Sequence, residues 1–234
     1  MKKMLGLLVA VTFSMMTAQA QNDGEPAKKV MKPSRDFLMF QLTYEGWNNT
    51  PDSVKTGGIG RGANIYFCYD FPIAKSHFSF AAGLGIGTSN IYFDDQRVIM
   101  NTASPSITFQ DMTTTEAESY KRVKLSTAYL EAPFELRYFA NKINRNRGFK
   151  AAIGMRVGML VGAHTKDKRS IGGVNIVEKV NTKRYIQTWR FAPTVRLGYG
   201  NFSVYGSYNL SQLFNAGQGP EVFPYSVGIC ITGL

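Results

Sequence analysis

Large apolar residues alternate with small or polar residues along much of the chain. In residues 77–89 (HFSFAAGLGIGTS), the even-numbered residues from Phe78 to Ile86 are apolar, whereas the odd-numbered ones are small or polar. A period of two predicts a β-strand with one face of each kind. The small face includes three glycines and leaves no room for the charged surface of a soluble sheet, so we expect it to face inward.

The same inverted pattern recurs further along the chain. The odd-numbered positions of 149–161 are apolar, whereas the even-numbered ones, continued to Gly162, include Lys150, Arg156 and glycines. Residues 190–199 repeat it, with arginines on the inward face. Segments of about ten residues with an apolar outside and a polar inside are typical of transmembrane β-barrels.

The alternating segments predict eight strands and no helix of any length. Their expected bounds are 36–46, 59–71, 77–92, 121–139, 148–163, 185–199, 202–213 and 222–233. The connections between them alternate between long and short, and the shortest is Gly200-Asn201, which suits a two-residue hairpin with glycine first. The predicted fold is therefore all-β, an eight-stranded antiparallel transmembrane β-barrel with long extracellular loops and short periplasmic turns.

Aromatic residues cluster where the predicted strands meet the short turns. Such a belt marks a membrane interface, because aromatic rings suit the headgroup level. A sparser second belt, near the long loops, would consist of Tyr44, Trp189, Phe223 and Tyr225. The main predicted girdle contains Tyr69, Phe71, Phe78, Tyr138, Phe149, Tyr199 and Phe202.

The N-terminus predicts export. Lys2 and Lys3 precede an apolar stretch that is too short to span a bilayer, and Ala18-Gln19-Ala20 matches a signal-peptidase site. The following residues are polar and contain prolines, as in a disordered leader. The predicted organisation is a cleaved signal peptide at 1–20, a disordered periplasmic leader at 21–34 and an outer-membrane β-barrel domain at 35–234, in the cell outer membrane of a Gram-negative bacterium.

The chain is basic, with a formal charge of +11 that falls to +9 when Lys2 and Lys3 leave with the signal peptide. Exported proteins seldom meet nucleic acid, and no recognition motif for it is present, so we expect no nucleic-acid partner. Outer-membrane lipid and lipopolysaccharide offer a more suitable negative charge. Solvated loop charge would account for much of the excess without any partner.

Candidate catalytic and cofactor motifs are weak. The glycine run GLGIG lacks both the lysine of a P-loop and the spacing of a dinucleotide fingerprint, and no helix follows it. His77 and Ser79 resemble the H-x-S pair of barrel enzymes that deacylate lipid A, but they would face the lumen at the periplasmic end. His164 stands alone near a long loop. We therefore predict no enzyme activity, no catalytic or cofactor-binding residue and no metal site.

Charged residues fall on the inward parity of the middle strands. An eight-stranded barrel has room only for its own side chains, so these charges would pair with one another and close the lumen; a selectivity filter is the open alternative. Pairing of Tyr138 with Phe149 would place Glu131 directly opposite Arg156. The predicted lumen charge network contains Glu131, Glu135, Arg137, Lys150, Arg156, Arg190 and Arg196.

The two cysteines are predicted to be free. Cys68 and Cys230 fall on the second and eighth strands, which are next-nearest neighbours about 9–10 Å apart, with the first strand between them. A disulfide does not reach that far.

The segment AYLEAPFELRYF at 128–139 resembles the Y-L-E-x-P-x-x-L-x-Y segment of the outer-membrane β-barrel families of Bacteroidetes, called PorT-like. Further similar segments are YEGWNNTPDS, YDFP, YNLSQLF and FPYSVGI. The resemblance implies a barrel, and some relatives belong to type IX secretion and gliding machinery. The chain departs from the usual C-terminal insertion signal, because it ends in ITGL rather than in an aromatic residue.

These observations favour a non-enzymatic integral outer-membrane protein, structural or interacting, that presents extracellular loops. Residues 93–120 and 164–184 are the chief loops expected to contact something outside the cell or a partner protein in a membrane complex. Two alternatives stay open: an accessory subunit of a secretion (type IX-like) or uptake complex, and a lipid-modifying outer-membrane enzyme.

Overall fold

The computed structural model describes residues 37–73, 76–100, 103–112, 118–141 and 147–233. The predicted signal peptide at 1–20 and leader at 21–34 lie outside these residues. Within the described ranges, no helix is long and apolar enough to cross a membrane.

Eight antiparallel strands form a closed barrel, as the alternating pattern predicted. The sheet follows the order β6-β3-β2-β1-β11-β10-β9-β7, and β6 pairs with β7 to close it. A two-residue turn at Gly200, whose φ of 62° suits glycine, joins β9 to β10. The barrel strands are β1 (Leu38–Asn48), β2 (Gly60–Pro72), β3 (Phe78–Phe93), β6 (Glu118–Phe139), β7 (Phe149–Ile171), β9 (Trp189–Tyr199), β10 (Phe202–Tyr208) and β11 (Phe223–Thr232).

Three strands that the sequence pattern did not indicate lie at the long-loop end. β4 (Gln96–Ile99) and β5 (Thr108–Asp111) form a separate two-stranded sheet within the loop between β3 and β6. β7 continues beyond the barrel to Ile171 and pairs with β8 (Val174–Asn181), which makes a long hairpin. The predicted ends of two strands also need correction, because β9 begins at Trp189 and β10 ends at Tyr208.

The predicted orientation of the faces is confirmed. In β3, Phe78, Phe80 and Ile86 are exposed on the outside of the barrel, whereas Ser79 and Ala81 are fully buried. This inversion suits a barrel whose outer surface meets hydrocarbon.

The expectation that Gly162 lies on the inward face of β7 is wrong. The register between β6 and β7 shifts between Ala128 and Tyr129, where Gly162 pairs with Ala128 but Leu160 pairs with Tyr129. Val161 is thus the extra residue of a β-bulge, which reverses the parity beyond it. Ala163 and Thr165 are buried in consequence, and Gly162 and His164 face outward.

The predicted register of β6 and β7 is wrong by two residues. Tyr138 pairs with Ala151 rather than with Phe149, and Glu131 pairs with Gly158. A shift of two residues keeps every side chain on its own face, so the alternating pattern fits both registers equally well. The Ala140 amide donates to the Phe149 carbonyl oxygen at 2.9 Å, which continues the observed register to the ends of both strands.

Candidate functional site

The predicted charged residues all lie in the lumen, and Glu131 is at the centre of one group. Its Oε1 lies 3.4 Å from Arg156 Nε and also pairs with Arg190, and the Tyr66 hydroxyl donates to its Oε2 at 2.5 Å. Arg156 in turn donates to the Tyr66 and Ser207 hydroxyls at 3.0 and 3.2 Å. Glu131 and Arg156 therefore meet diagonally, although they are not cross-strand partners.

A second group surrounds Glu135, closer to the short turns. Its Oε2 accepts from Arg137 at 2.7 Å and from Arg196 at 3.0 Å, and Arg137 also pairs with Asp70 at 2.8 Å. Lys150 donates to the Thr232 hydroxyl at 2.6 Å. Since all these side chains are almost fully buried, their mutual pairing replaces the water that they lose.

The sequence interpretation missed several lumen residues, among them Asp70, Tyr66 and Glu45. Asp70 and Tyr66 take part in the groups above, and Glu45 accepts from Thr43 at 2.5 Å and from Ser226 at 2.9 Å. Parity could have found Asp70 and Tyr66, because both stand two residues from the inward Cys68 on β2.

The glycine run of β3 makes space for this network. A Cβ added at Gly87 would lie 2.3 Å from Glu131 Oε2 and 2.9 Å from Arg190 Nη2. The same face at Gly83 and Gly85 packs against the backbone of β2. The close approach of backbone and side chains accounts for the glycines without a bound nucleotide.

An apolar core, which we call the cap, fills the barrel above the charged groups at the long-loop end. Trp47 and Phe109 pack edge-on against Phe214, with ring centroids 5.9 and 6.4 Å apart. The loop segments therefore fold inward as a hydrophobic layer. The buried residues of the cap are Val54, Ile91, Phe93, Val98, Met100, Ile107, Val123, Leu125, Tyr129, Leu160, Ala163, Tyr185, Ile186, Leu213, Phe214 and Val222.

Buried Gln96 connects the first two long loops over the cap. Its side-chain oxygen accepts from the Lys55 amide at 2.7 Å, and its side-chain nitrogen donates to Ser53 O at 2.7 Å and to Asp111 at 2.9 Å. The hydrogen bond from Gln96 lowers the pKa of Asp111, and the Lys55 ammonium, 3.2 Å away, lowers it further. These contacts hold the loops in one arrangement.

The histidines and cysteines form no reactive group in the described part of the chain. His77 Nδ1 contacts the Phe139 carbonyl oxygen at 2.7 Å, and the buried Ser79 hydroxyl has no hydrogen-bond partner among the described residues, so the two side chains are not hydrogen-bonded to each other. Cys68 and Cys230 are buried and free, as predicted. Among the described residues, no group of three or more potential ligands could hold a metal ion.

The seven predicted girdle residues lie on the outward face of the strands that meet at the short turns. Tyr69 and Phe71 are in ring contact at 5.0 Å, and Phe78 and Tyr138 at 5.3 Å. Tyr199 is 74% exposed and Phe202 66%, which leaves both rings free to meet lipid. Their role at a membrane interface remains a prediction.

Comparison with protein families supports the same architecture. A family model described as "Outer membrane protein beta-barrel domain" matches residues 10–215, which is most of the chain. The chain belongs to this family. The barrel is thus an outer-membrane protein, and its polar lumen and apolar exterior agree with that location. No curated protein matches the chain.

One solved structure that the barrel resembles is that of Ail, the attachment invasion locus protein of Yersinia pestis. The two are 14% identical, the alignment covers 83% of this chain and 95% of Ail, and the TM-score is 0.34. Nothing about function follows from this likeness.

We expect the purified barrel to form no stable channel of porin size in planar bilayers. The paired charges occupy one part of the lumen and the cap occupies the other, and an eight-stranded barrel has room only for its own side chains, so we expect no continuous water path. The measurement is single-channel conductance across a range of voltages. Large, reproducible ohmic steps would contradict the closed lumen.

Proposed function

We propose that this protein is a non-enzymatic outer-membrane barrel whose long-loop end binds a macromolecule outside the cell or a partner protein in the membrane. The interior supports a structural role, because its charges pair with one another and its apolar residues form a cap. The outer surface of the long-loop end is therefore the part of the protein that we expect to bind a partner.

The observation that carries this proposal is the hairpin of β7 and β8. β8 pairs with β7 alone among the described strands, so it lies at an edge of the described sheet. Val174 is 65% exposed and Val177 is 53% exposed, and both lie on the part of the hairpin that extends beyond the barrel wall. An open strand edge with exposed apolar side chains is a common place for a partner to add a strand.

An accessory subunit of a secretion or uptake complex is the second candidate. The resemblance to PorT-like proteins favours it, and the hairpin would then bind another subunit rather than an external molecule. The lipid-modifying enzyme has less support, since His77 and Ser79 lie at the short-turn end and are not hydrogen-bonded to each other.

A labelling experiment tests the orientation on which this proposal depends. We expect Val174→Cys to react with a membrane-impermeant thiol reagent on intact cells, and Asn201→Cys, in the turn at the opposite end, to react only after permeabilisation. The native thiols are buried and should stay silent, so mass-spectrometric labelling reports the introduced cysteine. Reaction at Asn201→Cys alone would reverse the orientation.

Site-specific photocrosslinking tests the partner. A benzophenone side chain at Val174 should give a discrete protein adduct in cells, whereas one at Val204, which is equally exposed but lies on the barrel wall, should not. An adduct with another membrane protein would favour the accessory subunit. Equal yields from both positions, or none from Val174, would contradict a partner at the hairpin.

A further inference from the structure

Three lysines lie in one row across neighbouring strands on the outside of the barrel. Lys124 of β6 is the direct partner of Lys166 of β7, which is the direct partner of Lys179 of β8, and Tyr92 of β3 precedes them in the same row. Arg122 and Lys168, themselves direct partners, form the next outward-facing row. We call these five cations, Arg122, Lys124, Lys166, Lys168 and Lys179, the basic patch.

The parity of the strands makes the basic patch face outward. Val123, Thr165 and Asp167, which alternate with these cations, are buried on the inner side. Arg122, Lys168 and Lys179 are exposed, and Lys124 and Lys166 are half-buried. The β-bulge at Val161 is responsible for this on β7, because it moves Lys166 and Lys168 to the outward face.

The five cations of the basic patch repel one another, and no described acidic side chain pairs with them. Like charges directly opposite each other destabilise a sheet, and adjacent strands are only about 4.8 Å apart. None of its five cations has an ion-pair partner among the described residues; Lys124 donates instead to the neutral Asn90 side chain at 2.7 Å. Burial lowers the pKa of Lys124, and the charges of Lys166, Lys179 and Arg122 lower it further.

The position of the basic patch along the membrane normal indicates which kind of anion could neutralise its charge. Along β6, the outward residues from Tyr138 to Ala128 are apolar or aromatic, Ser126 is polar and Lys124 follows. Lys124 is four residues beyond Ala128, which for a strand tilted by about 40° is about 10 Å along the membrane normal. The headgroup layer begins directly above the hydrocarbon.

A recess within the basic patch offers a place for a small anionic group. It has a volume of about 150 Å³ and is lined by Tyr92, Arg122, Lys124, Lys166 and Lys168. The Arg122 guanidinium lies 5.4 Å from the centre of the Tyr92 ring, a cation–π contact that orients it beside the recess. Arginine and lysine are the usual partners of phosphate.

We propose that the basic patch binds a phosphate group of lipid A, the glycolipid anchor of lipopolysaccharide in the outer leaflet. The lipid's acyl chains would lie along the apolar barrel wall below, and its phosphate would sit in the recess against Lys124, Lys166 and Lys168. Lys179, the cross-strand partner of Lys166, would add a further positive charge beside it. The inference goes beyond the proposed function, because it concerns the barrel wall beside the hairpin rather than the open edge of β8.

The test compares lipid A binding by two variants of equal charge. The double substitution Lys166→Gln and Lys179→Gln removes the centre of the basic patch, whereas Lys55→Gln with Lys183→Gln removes two cations elsewhere at the long-loop end. Each full-length protein is purified in detergent, titrated with diphosphorylated lipid A, and the bound lipid is counted by native mass spectrometry. We expect the first variant to need about tenfold more lipid A for half-saturation and the control to match the unaltered protein.

Two further titrations identify the group that is bound. Dephosphorylated lipid A should bind all the proteins equally weakly, and excess inorganic phosphate should not displace the phosphorylated lipid. The single substitution Lys179→Gln repeats the lipid A titration with a change in β8. Because β8 lies outside the closed barrel, this variant should fold normally. Equal half-saturation for the unaltered and patch variants, an equal loss in the control, or full displacement by inorganic phosphate would overturn the proposal.

Discussion

Replacement of Glu131 by Gln should lower the free energy of unfolding of the barrel by about 3–5 kcal/mol. Glutamine keeps the shape of the side chain but removes the negative charge that faces Arg156 and Arg190. Both guanidinium groups would then be buried beside a neutral amide. Urea unfolding in lipid vesicles, followed by tryptophan fluorescence, measures the loss. The same substitution at the exposed Glu221 is the matched control and should have little effect.

A double-mutant cycle shows whether Glu131 and Arg156 act as partners. Arg156→Met should also destabilise the barrel, because Glu131 loses one of its cations and Tyr66 and Ser207 lose a donor. The double variant should lose less than the sum of the single losses, since each single change already breaks the pair. If the two losses add within about 0.5 kcal/mol, the diagonal pair contributes nothing.

Replacement of Phe214 by Ala should loosen the cap and expose the loops to protease. Phe214 is 2% exposed and packs against Trp47, near the end of β1, and Phe109 in β5. Removal of a buried Phe side chain costs about 3–5 kcal/mol. Its neighbour Asn215 donates to the carbonyl oxygen of Arg184 at 2.9 Å, so the loss should reach that segment.

The expected readout is faster tryptic cleavage after Lys183 or Arg184 in vesicles, measured by mass spectrometry of the released fragments. Phe202→Ala provides the control, because Phe202 lies on the outward face at the opposite end of the barrel and touches no part of the cap. An unchanged cleavage rate in the Phe214 variant would mean that the cap does not hold this loop. The transmembrane strands should stay intact in both variants.

Much of the barrel could be predicted because its determinants are local in the sequence. The side chains of a strand alternate between two faces, so the placement of Phe78 outside and Ser79 inside follows from two neighbouring residues. The same rule brought Glu131, Glu135 and Arg156 into the lumen. The narrowness of an eight-stranded barrel then implied that such charges lie close to one another.

The alternating pattern of the sequence predicted neither the cap nor the hairpin of β7 and β8. The residues of the cap come from the long-loop ends of β3, β6 and β7 and from several loops, and Val54, Tyr185 and Phe214 show no repeat that marks them as neighbours. The sequence predicted long extracellular loops at 47–58 and 214–221 and a strand from residue 185, whereas the structure folds Val54, Tyr185 and Phe214 into an apolar layer. β8 was missed as well, because its residues are exposed on both faces and show little alternation.

The sequence by itself determined the number of barrel strands, the direction of each face and the burial of the charges, since these depend only on a period of two. Which residues meet was decided by the tertiary structure. A slip of two residues between β6 and β7 leaves every face unchanged, so only the packing of the side chains against one another selects the pairing of Glu131 with Gly158. The bulge at Val161 inserts only one extra residue into the alternating pattern of β7. This single residue turns Lys166 outward and thereby creates the basic patch.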